Sequence, residues 1–189
     1  MLLLTLGLAL FIAIHLVPTQ PQLRASLVGR FGEGGYKGVF SLISLAGLAL
    51  VVMAWAKAKH VPLWTPPGWG RHAAYTLMLP VFPLLVMAYL KGPIAAAIRH
   101  PMVAAVKLWA LAHLFVRGDL ASLILFGGLL VWAVVDRISL KKRERAGLVT
   151  IRAGGIANDL IAIAIGLVLF ALMLRWGHAA LIGIALMSK

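Results

Sequence analysis

Two stretches of the chain, Val39–Ala56 and Ala73–Leu90, each run 18 residues without a formal charge. A helix of that length reaches nearly across the hydrocarbon of a bilayer, and in lipid every backbone N–H and C=O must find a partner within the protein. These stretches constrain the chain to a bundle of membrane-spanning helices before any motif is read. Four further apolar stretches accompany them: Leu2–Val17, Met102–Val116, Leu120–Val135 and Leu160–Leu174. They are shorter, and cross only with flanking residues or local thinning of the bilayer. Composition agrees. Of 189 residues, 62% are hydrophobic and 12% charged, whereas a soluble domain is about half apolar and about a quarter charged. A water-soluble fold and a disordered chain are both excluded. The expected architecture is all-α: a polytopic integral membrane bundle of about six helices, forming a single domain over residues 1–189.

The first stretch lacks a basic leading region and is followed by Pro18-Thr19-Gln20-Pro21 rather than by a small-residue cleavage site, so it reads as a retained helix. Two long connections are expected, Pro18–Gly38 and Arg137–Ala157. Between the fourth and fifth stretches only Arg117-Gly118-Asp119 intervenes, which forces an antiparallel hairpin. No internal repeat supports an inverted-repeat transporter. Residues Ala179–Met187 are too few to span and extend the last helix or lie along the interface.

Lys and Arg number 18 against 5 acidic residues, a formal charge of +13. Eleven of the cations fall in the first, third and fifth connections, among them Arg24, Arg30, Lys37, Lys91, Arg99, Arg137 and Lys141–Arg145; six fall on the other side. The positive-inside rule places the first set in the cytoplasm and both termini away from it. The run Lys141-Lys142-Arg143-Glu144-Arg145 is assigned to retention and lipid contact, and nucleic acid is excluded as a partner. There is no cysteine, hence no disulfide, thiolate-held cluster or catalytic thiol.

Polar side chains inside spans are costly, and this singles out His15 at the end of the first stretch, His113 within the fourth, and His100 at its start in Arg99-His100-Pro101. A neutral imidazole ligates haem iron or another metal, or else bonds a neighbouring helix. His100 and His113 are 13 residues apart, about 20 Å along one helix, so they do not share an iron unless that helix breaks. His60, His72 and His178 lie among Trp and Pro residues and read as interfacial. Arg24 and Arg99 suit a carboxylate such as a haem propionate, or a lipid headgroup. Asp119 and Asp159 are placed to cap helix starts. Glu33 sits in the glycine-rich stretch Gly29–Gly38, where no preceding strand supports a dinucleotide fingerprint.

Phe11–His15, Arg24, Gly32-Glu33, Tyr36 and Phe40–Leu45, then Arg99-His100-Pro101, Leu108–Leu114 with His113, Gly118-Asp119, and finally His178 with Ile182-Gly183, resemble the pattern of the NnrU family. The resemblance runs over nearly the whole chain. It implies a multi-pass protein of the bacterial inner membrane, associated with denitrification and the handling of nitrite and nitric oxide. The same domain occurs in 15-cis-zeta-carotene isomerase, a haem b protein, and the resemblance implies His15 and His113 as axial ligands. Ala110 stands where those isomerases carry a cysteine, so no thiol ligand exists here. By depth in the bundle, His15 meets His100 rather than His113 unless the first helix is tilted. Arg99-His100-Pro101 is also similar to a motif of isoprenylcysteine-type membrane methyltransferases, but the aromatic and the paired glutamates of that motif are absent. The expected function is a haem b-binding membrane protein, with His15 and His113 on the iron, His100 beside or replacing one of them, and Arg24 or Arg99 on the propionates. The alternatives are a non-enzymatic partner of respiratory nitrogen-oxide enzymes, an isomerase-like enzyme and a methyltransferase-like enzyme.

Overall fold

The computed structural model describes residues 1–187. Helix α1 (Leu2–Leu16) ends in a 3-10 turn over Val17–Thr19, and α2 follows over Pro21–Trp55. After a loop come α3 (Gly70–Met78), α4 (Val81–Met87), α5 (Pro93–Ile98) and α6 (Pro101–Val116). Helix α7 spans Leu120–Arg145 and α8 spans Ile156–Ile182. Each of the last two contains one π turn, over Leu123–Gly127 and Met173–Gly177. Among the described residues, four segments are long and apolar enough to cross a membrane: α1 with its 3-10 turn, α2, α7 and α8. Helix α6 is apolar but shorter. Large apolar side chains point outward along these helices, such as Leu2 at 73% exposure and Leu42 at 70%, as a lipid-facing surface requires.

Two expectations change. The apolar stretch Ala73–Leu90 is divided between α3 and α4 at Leu79-Pro80. Pro80 and Pro83 lack the N–H that would continue the ladder, and each ring crowds the preceding turn. Leu79 N–H still donates to Tyr75 O and Leu84 N–H to Pro80 O, so the path bends without reversing. The presumed connection Pro18–Gly38 is mostly helical, with a break at Gly32 (φ 70°, ψ 164°). That conformation is open to glycine and strained for other residues. In a straight helix Arg24 and Glu33, nine residues apart, would be separated by about 13.5 Å along the axis. Here Arg24 Nη2 donates to both Glu33 carboxylate oxygens, at 2.8 and 3.1 Å. The amino-terminal limb of α2 is folded back. A Cβ added at Gly29, Gly34 or Gly38 would meet nothing within 4 Å.

Helices α1 and α2 form a close hairpin. A Cβ on Gly47 would stand 2.8 Å from Phe11 N, and one on Gly7 would stand 2.8 Å from Leu50 Cβ. Small residues at such a crossing let backbones approach, which is how helices pack without a hydrophobic driving force between them. Helix α7 lies parallel to α1, because contacts advance together along both. Leu8 packs on Gly128, His15 on Trp132, and Ser139 Oγ donates to Thr19 O at 3.3 Å. Helix α6 is antiparallel to α7, with Trp109 and His113 against Phe126 near the hairpin and Arg99 against Glu144 at the far end. The bundle therefore has two distinct ends. One holds the α6–α7 hairpin. The other, here the basic end, holds the close of α1, the folded limb of α2, the start of α6 and the close of α7.

The hairpin is clipped to the loop before α3. Leu63 and Trp64 N–H donate to Gly118 O, and Leu120 N–H donates to Val61 O. Asp119 caps α7 as expected, its Oδ1 accepting from Ser122 N–H at 3.0 Å. It also accepts from His60 Nδ1–H (3.0 Å), Ser122 Oγ (2.8 Å) and Arg117 Nε (3.2 Å). Burial pushes the carboxyl up, but these hydrogen bonds and the Arg117 charge outweigh it and hold the group down to about 2. The folded value lies below the ordinary 3.8, so the clip stabilises fully above the unfolded value and is lost as pH falls from about 4 towards 2. About 2 kcal/mol should disappear over that window. Thermal unfolding in detergent across pH should show this loss in the wild type and not in Asp119→Asn.

Asp159 differs from its expected role. It caps a helix start, but that of α5 rather than of its own helix. Its Oδ2 accepts from Ile94 N–H at 2.7 Å and its Oδ1 from Ala95 N–H at 3.2 Å. The side chain is fully buried, and Gly92 leaves the room it needs. Beside it, Asn158 Nδ2 donates to Lys91 O at 3.1 Å. Two segments more than 60 residues apart are joined through this carboxyl.

Candidate functional site

His15 and His113 are built alike. His15 Nδ1 lies 2.7 Å from Phe11 O, and His113 Nδ1 lies 2.7 Å from Trp109 O. A carbonyl only accepts, so in both rings Nδ1 carries the proton and Nε2 keeps its lone pair. The bond to the carbonyl four residues earlier fixes tautomer and ring orientation, as an outer partner does for a ligating histidine. Both rings sit among aromatic groups. His15 stacks on Phe11 at 4.1 Å and meets the edges of Phe40 and Trp132 at 5.0 and 5.4 Å. His113 stacks on Phe126 at 4.5 Å, with Trp109 at 5.0 Å.

Their packing partners on α7, Trp132 and Phe126, are six residues apart, about 9 Å along the axis. Because α1 and α6 run in opposite directions, the backward lean of helical side chains acts in opposite senses. His15 leans towards the hairpin end and His113 towards the basic end. Each ring therefore tilts towards the depth of the other, which eases the offset that loop counting alone implies.

His100 lies at the basic end with His15. It precedes α6, and its Nε2 is 3.7 Å from Glu144 Oε2, too long for a hydrogen bond. Burial lowers its pKa, Arg137 adds to that, and Glu144 and Asp136 oppose it; the net shift is downward, favouring the neutral ring. Asp136 faces both His15 and His100. Arg99 holds a positive φ of 70° and donates to Glu144 Oε1. Arg24, as described, is paired with Glu33, and its guanidinium lies 5.5 Å from the Tyr36 ring centroid.

Of the residues read as interfacial, His178 lies near His113, and the other two are elsewhere. His60 belongs to the Asp119 clip, and His72 is exposed on α3. His178 Nδ1–H donates to Ile184 O at 2.8 Å at the hairpin end, on the π-bulged part of α8 that extends the last helix to Ile182. Among the described residues no group of three or more His, Asp or Glu converges to hold a bare metal ion.

Several polar groups at the basic end were not given a site role from sequence: Tyr36, Trp132, Asp136, Arg137, Arg143 and Glu144. At 100° per residue, Trp132, Asp136 and Arg143 fall within about 40° of one another on α7. The signal was therefore available as a helical spacing, hidden because Arg143 and Glu144 sit inside a run of cations. Lys141, Lys142 and Arg145 are exposed, while Arg143 and Glu144 are half-buried.

The model of one protein family, described as NnrU protein, matches residues 3–186. No curated protein and no solved structure matches the chain.

Proposed function

Since the chain belongs to the NnrU family, we propose that it is a haem b-binding protein of the bacterial inner membrane, with His15 and His113 as the axial ligands. The observation that carries this reading is the matched pair of imidazoles. Each has Nδ1–H fixed on a main-chain carbonyl and Nε2 without a partner, and each leans along its own helix towards the depth of the other. Two nitrogen donors are too few for a bare metal ion but complete the coordination of an iron already held by a porphyrin. The aromatic and aliphatic residues around both rings suit a flat apolar macrocycle. Haem in such a site supplies one-electron chemistry, and the protein sets its potential through the axial ligands and the hydrogen bonds behind them. Here those are the Phe11 and Trp109 carbonyls, which raise ligand basicity.

Six passes through the bilayer, with the kinked pair α3–α4 as the third and α6 as the fourth, accommodate this arrangement. The concentration of cations at the basic end supports placing that end in the cytoplasm and both termini opposite. Association with respiratory enzymes of nitrite and nitric oxide metabolism is part of the same reading and follows from the family alone. The protein purified in detergent should carry stoichiometric haem, extractable as the pyridine complex. Haem-free protein from haem-replete cells contradicts the reading.

A second reading has one specific support: Arg99 and His100, of the motif shared with membrane methyltransferases, both face Glu144. Calorimetric titration with S-adenosylmethionine tests it, and absence of binding by the folded protein removes it.

A further inference from the structure

Every buried side-chain nitrogen or oxygen without a hydrogen-bond partner among the described residues lies at the basic end: Tyr36 Oη, His100 Nε2, Trp132 Nε1, Arg137 Nη1, Arg143 Nε and Glu144 Oε2. Such atoms are rare in folded proteins, and each calls for a cause. Leaving a buried donor unmade costs more than a formed bond returns, and the cost is larger for a charged group. Among the described residues the hairpin end shows none. A scatter of chance defects would not gather this way.

Four of the six can donate: Trp132, Arg137 and Arg143 present obligate donors and Tyr36 a hydroxyl, while the other two, His100 Nε2 and Glu144 Oε2, face each other at 3.7 Å. They lie at the same end of the bundle. The edge of Trp132 is against His15, and Tyr36 reaches the same ring through Phe40. Arg137 faces His100, and Arg143 lies 3.5 Å from Asp136, which itself faces His15 and His100. Arg143 is itself paired with Asp136 at 3.5 Å, although its Nε has no partner; the two arginines named from sequence are also engaged, Arg24 by Glu33 and Arg99 by Glu144. Both of those are about half exposed, with side-chain exposures of 42% and 54%.

We infer that Arg137 and Arg143 hold the carboxylates of the haem, its propionates turned to the basic end beside His15, with Trp132 Nε1–H as a further donor. Guanidinium groups are suited to this role because they stay charged when buried and offer donors in a fixed fork. Arg24 and Arg99 instead brace the folded limb of α2 and the start of α6. The inference rests on the proposed haem site and adds which residues of this chain recognise the charged edge of the cofactor.

The test compares haem with its dimethyl ester, which keeps iron and macrocycle but carries no free carboxylate. Haem-depleted protein in detergent is titrated with each and followed by the Soret shift. The wild type should bind haem about tenfold or more tightly than the ester, the size of one charge-assisted hydrogen bond. In Arg137→Gln/Arg143→Gln that preference should collapse because haem binding weakens to the level of the ester. Unchanged ester binding in this variant shows that the fold is intact; if the variant does not fold, Arg137→Lys/Arg143→Lys, which keeps the charges, should retain part of the preference. Arg24→Gln/Arg99→Gln should keep the wild-type preference. Equal binding of haem and ester by the wild type overturns the inference, as does a preference that survives loss of Arg137 and Arg143 but vanishes with Arg24 and Arg99. A wild type that shifts with neither compound overturns the haem reading itself, and is distinguishable from both.

Discussion

His113→Ala and His15→Ala are each expected to yield a folded protein that has lost its haem absorbance. Removing a residue that merely holds a metal ligand already costs 10–100-fold in affinity. Removing the ligand should therefore weaken haem binding by more than about 100-fold, enough to lose the cofactor during purification. The loss should be selective. His60 belongs to the Asp119 clip and His72 is exposed on α3, so His60→Ala and His72→Ala should retain the Soret band. Trp109 and Phe11 contribute main-chain carbonyls to the imidazoles, so side-chain changes there act through packing and should shift the spectrum rather than abolish it. His100→Ala separates the two assignments open at the basic end. A retained two-histidine spectrum fits His15 with His113, whereas loss of low-spin character in this variant, with His113→Ala unaffected, would move the second ligand to His100.

The largest loss of stability is expected from Asp159→Ala. The substitution strips acceptors from Ile94 and Ala95 N–H at a site that is fully buried. Each stranded donor costs about 1–3 kcal/mol, so a total of about 2–6 kcal/mol follows, before the cavity beside Gly92 is counted. Unfolding in graded denaturing detergent should show the variant far below wild type. Asp159→Asn keeps an oxygen for one of the two N–H groups and should fall between them. Because the carboxyl holds α5 to the start of α8, the defect should also loosen α5, the short helix that delivers Arg99 and His100 to the basic end. Faster hydrogen exchange over residues 92–100 in Asp159→Asn is the local signature.

Much of this arrangement was legible from the order of residues. Uncharged runs located most of the long helices, Arg117-Gly118-Asp119 the hairpin, and Asp119 before Leu120 its cap. His15 and His113 were singled out as polar groups in apolar segments, and their matched hydrogen bonds follow from having a carbonyl four residues back. What was hidden depends on long-range placement. Asp159 has the sequence signature of a cap for its own helix, and only the fold brings Gly92 and α5 beside it. Pro80 and Pro83 did signal a bend within Ala73–Leu90, but a count of apolar residues overlooks a missing N–H. Gly32 is one glycine among several in its stretch, and only its φ distinguishes it. The same limitation applied at the basic end. Arg143 and Glu144 read as part of a solvated cationic run, and helical phase, not composition, separates them from the exposed Lys141, Lys142 and Arg145.

The depth of the two imidazoles shows how geometry refines a count. Loop lengths alone put His15 and His113 at opposite ends, because α1 and α6 run in opposite directions. Side-chain lean works against that separation, and the bonds to Phe11 O and Trp109 O fix the lean in both rings.

The absorption spectrum of the detergent-purified protein, oxidised and then reduced, tests the central claim most directly. Two neutral imidazoles on one haem predict a Soret band and a six-coordinate, low-spin spectrum in both states. A protein without a Soret band, or one whose haem is five-coordinate and high-spin, would contradict His15 and His113 as the ligand pair.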